Sequence, residues 1–120
     1  MRQFELRRTY RDKDVIAFVL QYPDSVHISL YGGDLPHIGA VGIIDPDGNY
    51  TVTQFPSHKE GIVCKKWIAA LFTAGYYPAV VEVGIHYDDL DKASIRAVLT
   101  LTNKLLKETL IVLSQSHHTL

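Results

Sequence analysis

Three short segments carry more chemically capable side chains than a scaffold needs. The first, Gly32-Gly33-Asp34-Leu35-Pro36-His37-Ile38-Gly39, puts two glycines, a carboxylate and an imidazole into one connection. Paired glycines permit positive φ and close backbone approach, so successive amides would line an anion site. A connection needs no imidazole after its proline, which singles out His37. No helix follows directly, so the segment is neither a P-loop nor a dinucleotide fingerprint. Its plain alternative is an ordinary strand connection. The second segment is Ser57-His58-Lys59-Glu60. Ser57 and Glu60 have the spacing of a capping box. His58 and Lys59 then fall on the first helical turn, where backbone amides favour anions. A lysine placed against the helix dipole points to a bound phosphate or carboxylate. The third segment is Gly84-Ile85-His86-Tyr87-Asp88-Asp89, at a strand end. There His86 shares a face with Glu82 and Asp88, and a carboxylate neighbour would fix its tautomer. The ligand- or partner-binding candidates are therefore Gly32, Gly33, Asp34, His37, His58, Lys59, His86 and Asp88.

His37, His58 and His86 would hold a metal or carry protons only if the fold assembled them, because no pair has His-x-His or His-x-x-x-His spacing. Nucleophilic catalysis has less support. The single cysteine, Cys64, sits among apolar residues of a helical stretch and reads as a small core residue. No nucleophile elbow is present. One cysteine also excludes an internal disulfide and a multi-thiolate metal centre. The basic residues Arg7, Arg8, Arg11 and Lys13 are split between strand faces by alternation, as on a solvated surface.

The elements that must position these residues are strands in the first half and mostly helix in the second. Phe4, Leu6, Arg8 and Tyr10 alternate with Glu5, Arg7, Thr9 and Arg11, which suits an edge strand. Val15 to Leu20 is a β-rich run stopped by Tyr22-Pro23-Asp24. Val26, Ile28 and Leu30 alternate with His27, Ser29 and Tyr31. Ile38 to Ile44 reads as a strand buried on both sides, and Pro46-Asp47-Gly48-Asn49 turns it into a returning strand, Tyr50 to Phe55. A first helix starts at Ser57, carries Val63, Trp67, Ala70, Leu71 and Ala74 on one stripe, and meets an αL cap at Gly75. Pro78 opens a further strand, with Ala79, Val81, Val83, Ile85 and Tyr87 facing one way. The last helix starts after Asp88-Asp89-Leu90-Asp91, whose carboxylates suit a helix N-terminus, and runs to about Ser114. At roughly 30–35 Å it would overhang a small domain and favour a dimer. The fold class is α+β: a single-layer antiparallel sheet with two helices on one face, in the order β-β-β-β-β-α-β-α.

Length and charge narrow the function classes. A chain of 120 residues holds one domain, expected over 1–120 with 114–120 and its His117-His118 pair as a loose tail. Hydrophobic residues at 47% and charged ones at 21% are globular values. Twelve Lys plus Arg against 13 Asp plus Glu argue against a general nucleic-acid binder. The charged N-terminus lacks the apolar core of a signal peptide, and no apolar run approaches the roughly 20 residues of a membrane span. A soluble, cytoplasmic protein is expected.

Taken in order, Gly32-Gly33-Asp34-Leu35-Pro36-His37-Ile38-Gly39-Ala40-Val41, His58-Lys59-Glu60 and Gly84-Ile85-His86-Tyr87-Asp88 resemble the small bacterial and archaeal prenylated-flavin chaperones, the family that includes the small accessory protein of gallate decarboxylase. The likeness spans nearly the whole chain. It implies a proteasome-assembly-chaperone-like fold, usually paired as a homodimer. It implies a non-catalytic accessory role beside a non-oxidative decarboxylase of aromatic hydroxy-acids that uses prenylated FMN, together with a flavin prenyltransferase. No catalytic residue and no tightly bound cofactor are expected, only transient prenylated FMN. The partners would be the decarboxylase large subunit and the prenyltransferase. Two other classes stand beside this reading: a small metal-assisted or acid–base enzyme using His37, His58 and His86, and an assembly module without a small ligand.

Overall fold

The computed structural model describes residues 1–56 and 59–115. Along the chain run β1 (Arg2–Tyr10), β2 (Lys13–Gln21), β3 (Val26–Gly33), β4 (Ala40–Ile44), β5 (Tyr50–Gln54), α1 (Gly61–Ala74), β6 (Ala79–His86) and α2 (Lys92–Ser114). The element order is the one anticipated. Arg11 and Asp12, both at positive φ, make the two-residue turn of the β1–β2 hairpin, whose twist suits that conformation.

The six strands form one sheet in the order β1-β2-β3-β6-β4-β5. Its pairing corrects the expectation of a wholly antiparallel sheet, because β3 and β6 run parallel. The cause is α1, which crosses one face after the β4–β5 hairpin. A helical crossover returns the next strand in the direction of an earlier one. β6 thus enters between β3 and β4, and Val81 and Val83 become fully buried.

One face of the sheet carries the core. Val15, Ala17 and Val19 of β2, Ile28 and Leu30 of β3, and Val81 and Val83 of β6 pack under Trp67, Ile68 and Leu71 of α1 and Leu105 and Leu106 of α2. α1 lies over β4, β5 and β6, and α2 over β1 and β2. No described element covers the opposite face, where Ile16, Phe18, Leu20, Tyr31, Val41 and Val80 are half-buried and Ile43 is exposed. β4 is therefore buried on one side only, not on both. Ile38 and Ile43 are each 49% exposed.

Two helix expectations also change. α1 begins at Gly61 rather than Ser57, with Glu60 at the N-cap and no side-chain cap hydrogen bond. Gln54 Oε1 accepts from the Gly61 amide instead, at 2.9 Å. Ser57 and His58 lie outside the described residues, as do His117 and His118. At the other end Gly75 takes the αL conformation expected of it, φ 82°, and its amide caps the helix. α2 starts where expected, with the Asp91 carboxylate accepting from the Ser94 amide at 2.8 Å. It does not overhang. It is roughly 35 Å long, the molecule extends 47 Å, and buried side chains run from Ser94 to Leu113.

Candidate functional site

The site forms at the end where β3 and β6 both terminate. Because they are parallel, their C-terminal ends deliver the 34–39 connection and the 87–91 connection side by side. The 34–39 connection folds back along β6 and is tied to it. The Asp34 and Leu35 amides donate to the His86 carbonyl at 2.6 and 3.4 Å, and the Gly39 amide donates to the Val83 carbonyl at 2.8 Å.

Two glycines permit this approach. Gly33 has φ +81°, and a Cβ there would stand 2.2 Å from the His86 carbonyl oxygen. A Cβ at Gly84 would stand 1.4 Å from the His37 carbonyl oxygen. The glycine pair of the first segment thus serves strand closure: the amides that follow it are taken by His86, so they do not form an anion cradle. The Asp34 carboxylate turns across to accept from the Asp88 amide at 3.0 Å, linking the two connections.

His37 is held inward. Its Nδ1 donates to the Leu35 carbonyl at 2.9 Å and its Nε2 to Glu60 Oε1 at 2.6 Å. Both ring nitrogens are engaged, so the ring is fixed from two sides. The pair is largely buried, with side chains 19% and 11% exposed. Burial makes such a pair stiff, since losing one partner leaves the other a buried polar group without that contact.

His86 is the outward counterpart. Its Nε2 donates to Asp88 Oδ1 at 2.9 Å, and both side chains are exposed. Asp88 is the partner anticipated for it, but Glu82 is not, because Glu82 pairs with His27 at 2.6 Å on the open sheet face. The His37 and His86 rings meet edge to face with centroids 6.5 Å apart.

Against His86 lies a cavity of about 310 Å³. Val63, Val83, Ile85, Leu90 and Val98 give it apolar walls, while Lys59, Glu60 and His86 supply its polar side. Tyr87 closes the floor. Its hydroxyl donates to the Lys13 carbonyl at 3.1 Å and its ring packs edge-on against Tyr10. Burial raises the Tyr87 phenol above its usual range, helped by the negative charge of Asp34. It is a neutral hydroxyl, not a phenolate.

Asp34, His37, Lys59, His86 and Asp88 are thus neighbours around one end of the sheet, with Gly32 and Gly33 in the strand beneath. His58 is outside the described residues. Among the described residues no three His, Cys, Asp or Glu side chains are grouped to hold a metal ion. Cys64 is fully buried under β6, its Sγ–H donating to the Val81 carbonyl, and burial pushes its thiol up to about 11. It is inert core, as its neighbours in sequence suggest. Sequence reasoning missed the Glu60–His37 pair, the apolar cavity and the His27–Glu82 pair. The last had a signal: both residues occupy the polar phase of strands that are otherwise apolar.

A sheet with helices on one face and a polar cluster beside an apolar cavity makes this an α+β protein. A family model, the prenylated flavin chaperone LpdD-like domain, matches residues 9–114, and the chain belongs to that family. Its role is accordingly that of a chaperone, an accessory protein and not an enzyme. No curated protein matches the chain. A solved structure, described as the crystal structure of a novel chaperone complex for yeast 20S proteasome assembly, is similar at 12% identity and a TM-score of 0.47 over 88% of this chain and 99% of that one. No described helix is long and apolar enough to cross a membrane.

Proposed function

We propose that this chaperone receives prenylated FMN transiently and passes it to a prenylated-FMN-dependent, non-oxidative decarboxylase of aromatic hydroxy-acids. A flavin prenyltransferase stands upstream, and the chain turns over no substrate. The observation carrying this reading is the apolar cavity with Lys59 and His86 on its polar side. Such a donor set fits the group. The apolar walls suit prenyl and ring carbons, and Lys59 with His86 suits a phosphate. The cofactor supplies the electron-sink chemistry of decarboxylation once it resides in the decarboxylase. This chain's residues have other tasks. Val63, Val83 and Leu90 exclude water from an apolar group, His37–Glu60 stiffens the wall, and Lys59 and His86 attract an anion. The working protein is further proposed to be a cytoplasmic homodimer, which light scattering of the purified chain checks.

The test is coexpression with a flavin prenyltransferase, followed by absorbance and mass spectrometry of the purified chain. A copurified modified flavin, lost in a Lys59→Ala/His86→Ala double variant that still folds, is the expected result. Decarboxylase made without the chain should carry less cofactor. If it is equally active and equally loaded, the proposal fails.

A further inference from the structure

The other end of the β3–β6 pair is built differently. There the open face of the sheet holds a cavity of about 610 Å³. Ile43, Ile44, Pro46, Pro78 and Val80 make its walls apolar. An ion pair lies among them, His27 Nε2 donating to Glu82 Oε1, with side chains 38% and 24% exposed. Stability does not explain this pair. Its cross-strand neighbours on that face are Leu20, Val80, Val41 and Ser29, three of them apolar, and apolar residues in its place would avoid the desolvation cost of a partly buried polar pair.

The surroundings point outward. Tyr22 and Ile43 at the cavity are exposed, and so are Tyr50, Phe72 and Tyr77 just beyond it. Phe72 stacks on Tyr77 at 5.6 Å and packs tilted against Tyr50 at the same distance. Clustered exposed aromatics mark protein interfaces more than free surface. The charge is one-sided. Among the described residues, this cavity and the adjoining one beside Tyr76 are lined by Asp24, Asp45 and Glu82, with no lysine or arginine. Asp45 is occupied in its turn, where its Oδ1 accepts from the Asp47 and Asn49 amides. Glu82 spends one contact on His27 and, as a carboxylate, keeps further acceptor positions.

An apolar slot with one carboxylate inside it fits a side chain that is aliphatic along its stem and cationic at its tip. We propose that this end of the sheet is a docking surface for a segment of a partner protein anchored by an arginine. Its methylenes lie along Val80, Ile43 and Pro46, its guanidinium meets Glu82, and apolar neighbours cover Tyr22 and the Tyr50–Phe72–Tyr77 stack. Arginine suits the slot better than lysine because its planar, weakly hydrated head both pairs with carboxylates and stacks on aromatic rings. The surface stands independently of the flavin reading. Its anchor Glu82 lies four residues along β6 from His86, about 13 Å at ~3.3 Å per residue, and the slot extends from there away from the histidine end.

The probe is a display library of random 12-residue peptides selected on the full chain. Enriched sequences should carry an arginine flanked by apolar residues. Fluorescence anisotropy with the synthesised peptides should show binding weakened at least tenfold in Glu82→Gln and in Ile43→Asp, unchanged in Lys107→Ala, and reduced by added salt. Amide shifts in the wild-type chain should centre on residues 22, 43, 77 and 80, which decides the matter even if both variants fail to fold. Enrichment of acidic or uncharged peptides, no enrichment at all, or shifts confined to the histidine end would overturn the proposal. So would a homodimer that Ile43→Asp dissociates, since a second copy would then own this face.

Discussion

A single methyl group at Gly84 should dismantle the histidine site. A Cβ built there stands 1.4 Å from the His37 carbonyl oxygen and 2.2 Å from its carbonyl carbon. A tolerable carbon–oxygen contact is roughly 3.3–3.6 Å, so the 34–39 connection must retreat by about 2 Å. β6 cannot yield instead, because it is hydrogen-bonded between β3 and β4. The 2.6 Å bond from His37 to Glu60 does not survive such a shift, and neither does the 2.8 Å bond from the Gly39 amide to the Val83 carbonyl. A charge-assisted bond is worth about 1.5–3 kcal/mol and a backbone bond about 1 kcal/mol. Gly84→Ala should therefore cost about 2.5–4 kcal/mol, or roughly 10–15 °C of Tm for a chain of this size. Thermal unfolding followed by circular dichroism reads the first effect, and imidazole nitrogen NMR reads the second as loss of the distinct His37 signal. Gly75→Ala is the steric control. Unlike Gly84→Ala it forces an alanine to positive φ, but it meets nothing within 4 Å, so it should cost only about 1 kcal/mol and leave His37 unchanged. If Gly84→Ala melts within 2–3 °C of the native chain (the scale of an ordinary surface substitution, about 0.5 kcal/mol) and keeps its His37 signal, the packing argument is refuted.

Two further outcomes follow from burial and capping. The Cys64 thiol, pushed up to about 11 by burial, holds its proton more tightly folded than unfolded, so the stability it contributes is complete below the unfolded value and is lost as pH rises from about 9 towards 11. Denaturant unfolding across that window should show a loss of about 2–3 kcal/mol, flattened in Cys64→Ala, and a thiol reagent at pH 8 should react only with unfolded chain. The Asp91 carboxyl is lowered by the Ser94 amide it accepts from, so its contribution is present above the unfolded carboxylate range and fades as pH falls through the folded value. Hydrogen exchange at Ser94 and Ile95 should accelerate in Asp91→Ala and much less in Asp91→Asn, and an unaltered rate in Asp91→Ala would contradict the capping role.

Period-two alternation carries across to the structure with little loss. Val15, Ala17 and Val19 face the core as their spacing requires, and Tyr10, Lys13 and the residues between them make the first hairpin. Gly75 and Asp91 end and begin helices where local chemistry says they must. What alternation does not encode is which strand lies beside which. Nothing local in Ala79–His86 states that it pairs with both β3 and β4, so the parallel pairing was not legible. For the same reason the polar positions His27 and Glu82 could be noticed singly but not as a pair. The pairing of the Glu60 carboxylate with an imidazole 23 positions earlier had no local signal, and the Ser57 half of the capping box lies outside the described residues. The convergence of Asp34, His37 and His86 was readable only as strand ends of similar composition, and it became geometry once β6 was set beside β3.

The insertion of β6 also sets the order in which the polypeptide can mature. β1 pairs with β2 and β2 with β3, and β4 pairs with β5, but these two groups meet only through a strand that follows them both. Residues of β3 must wait for partners about fifty positions downstream, and closing so long a loop is slow compared with zipping a hairpin. During synthesis the inner edges of β3 and β4 therefore stand open until the C-terminal third of the polypeptide has left the ribosome. An unpaired edge is a template for another molecule's strand, so a nascent copy is most vulnerable to aggregation in that interval.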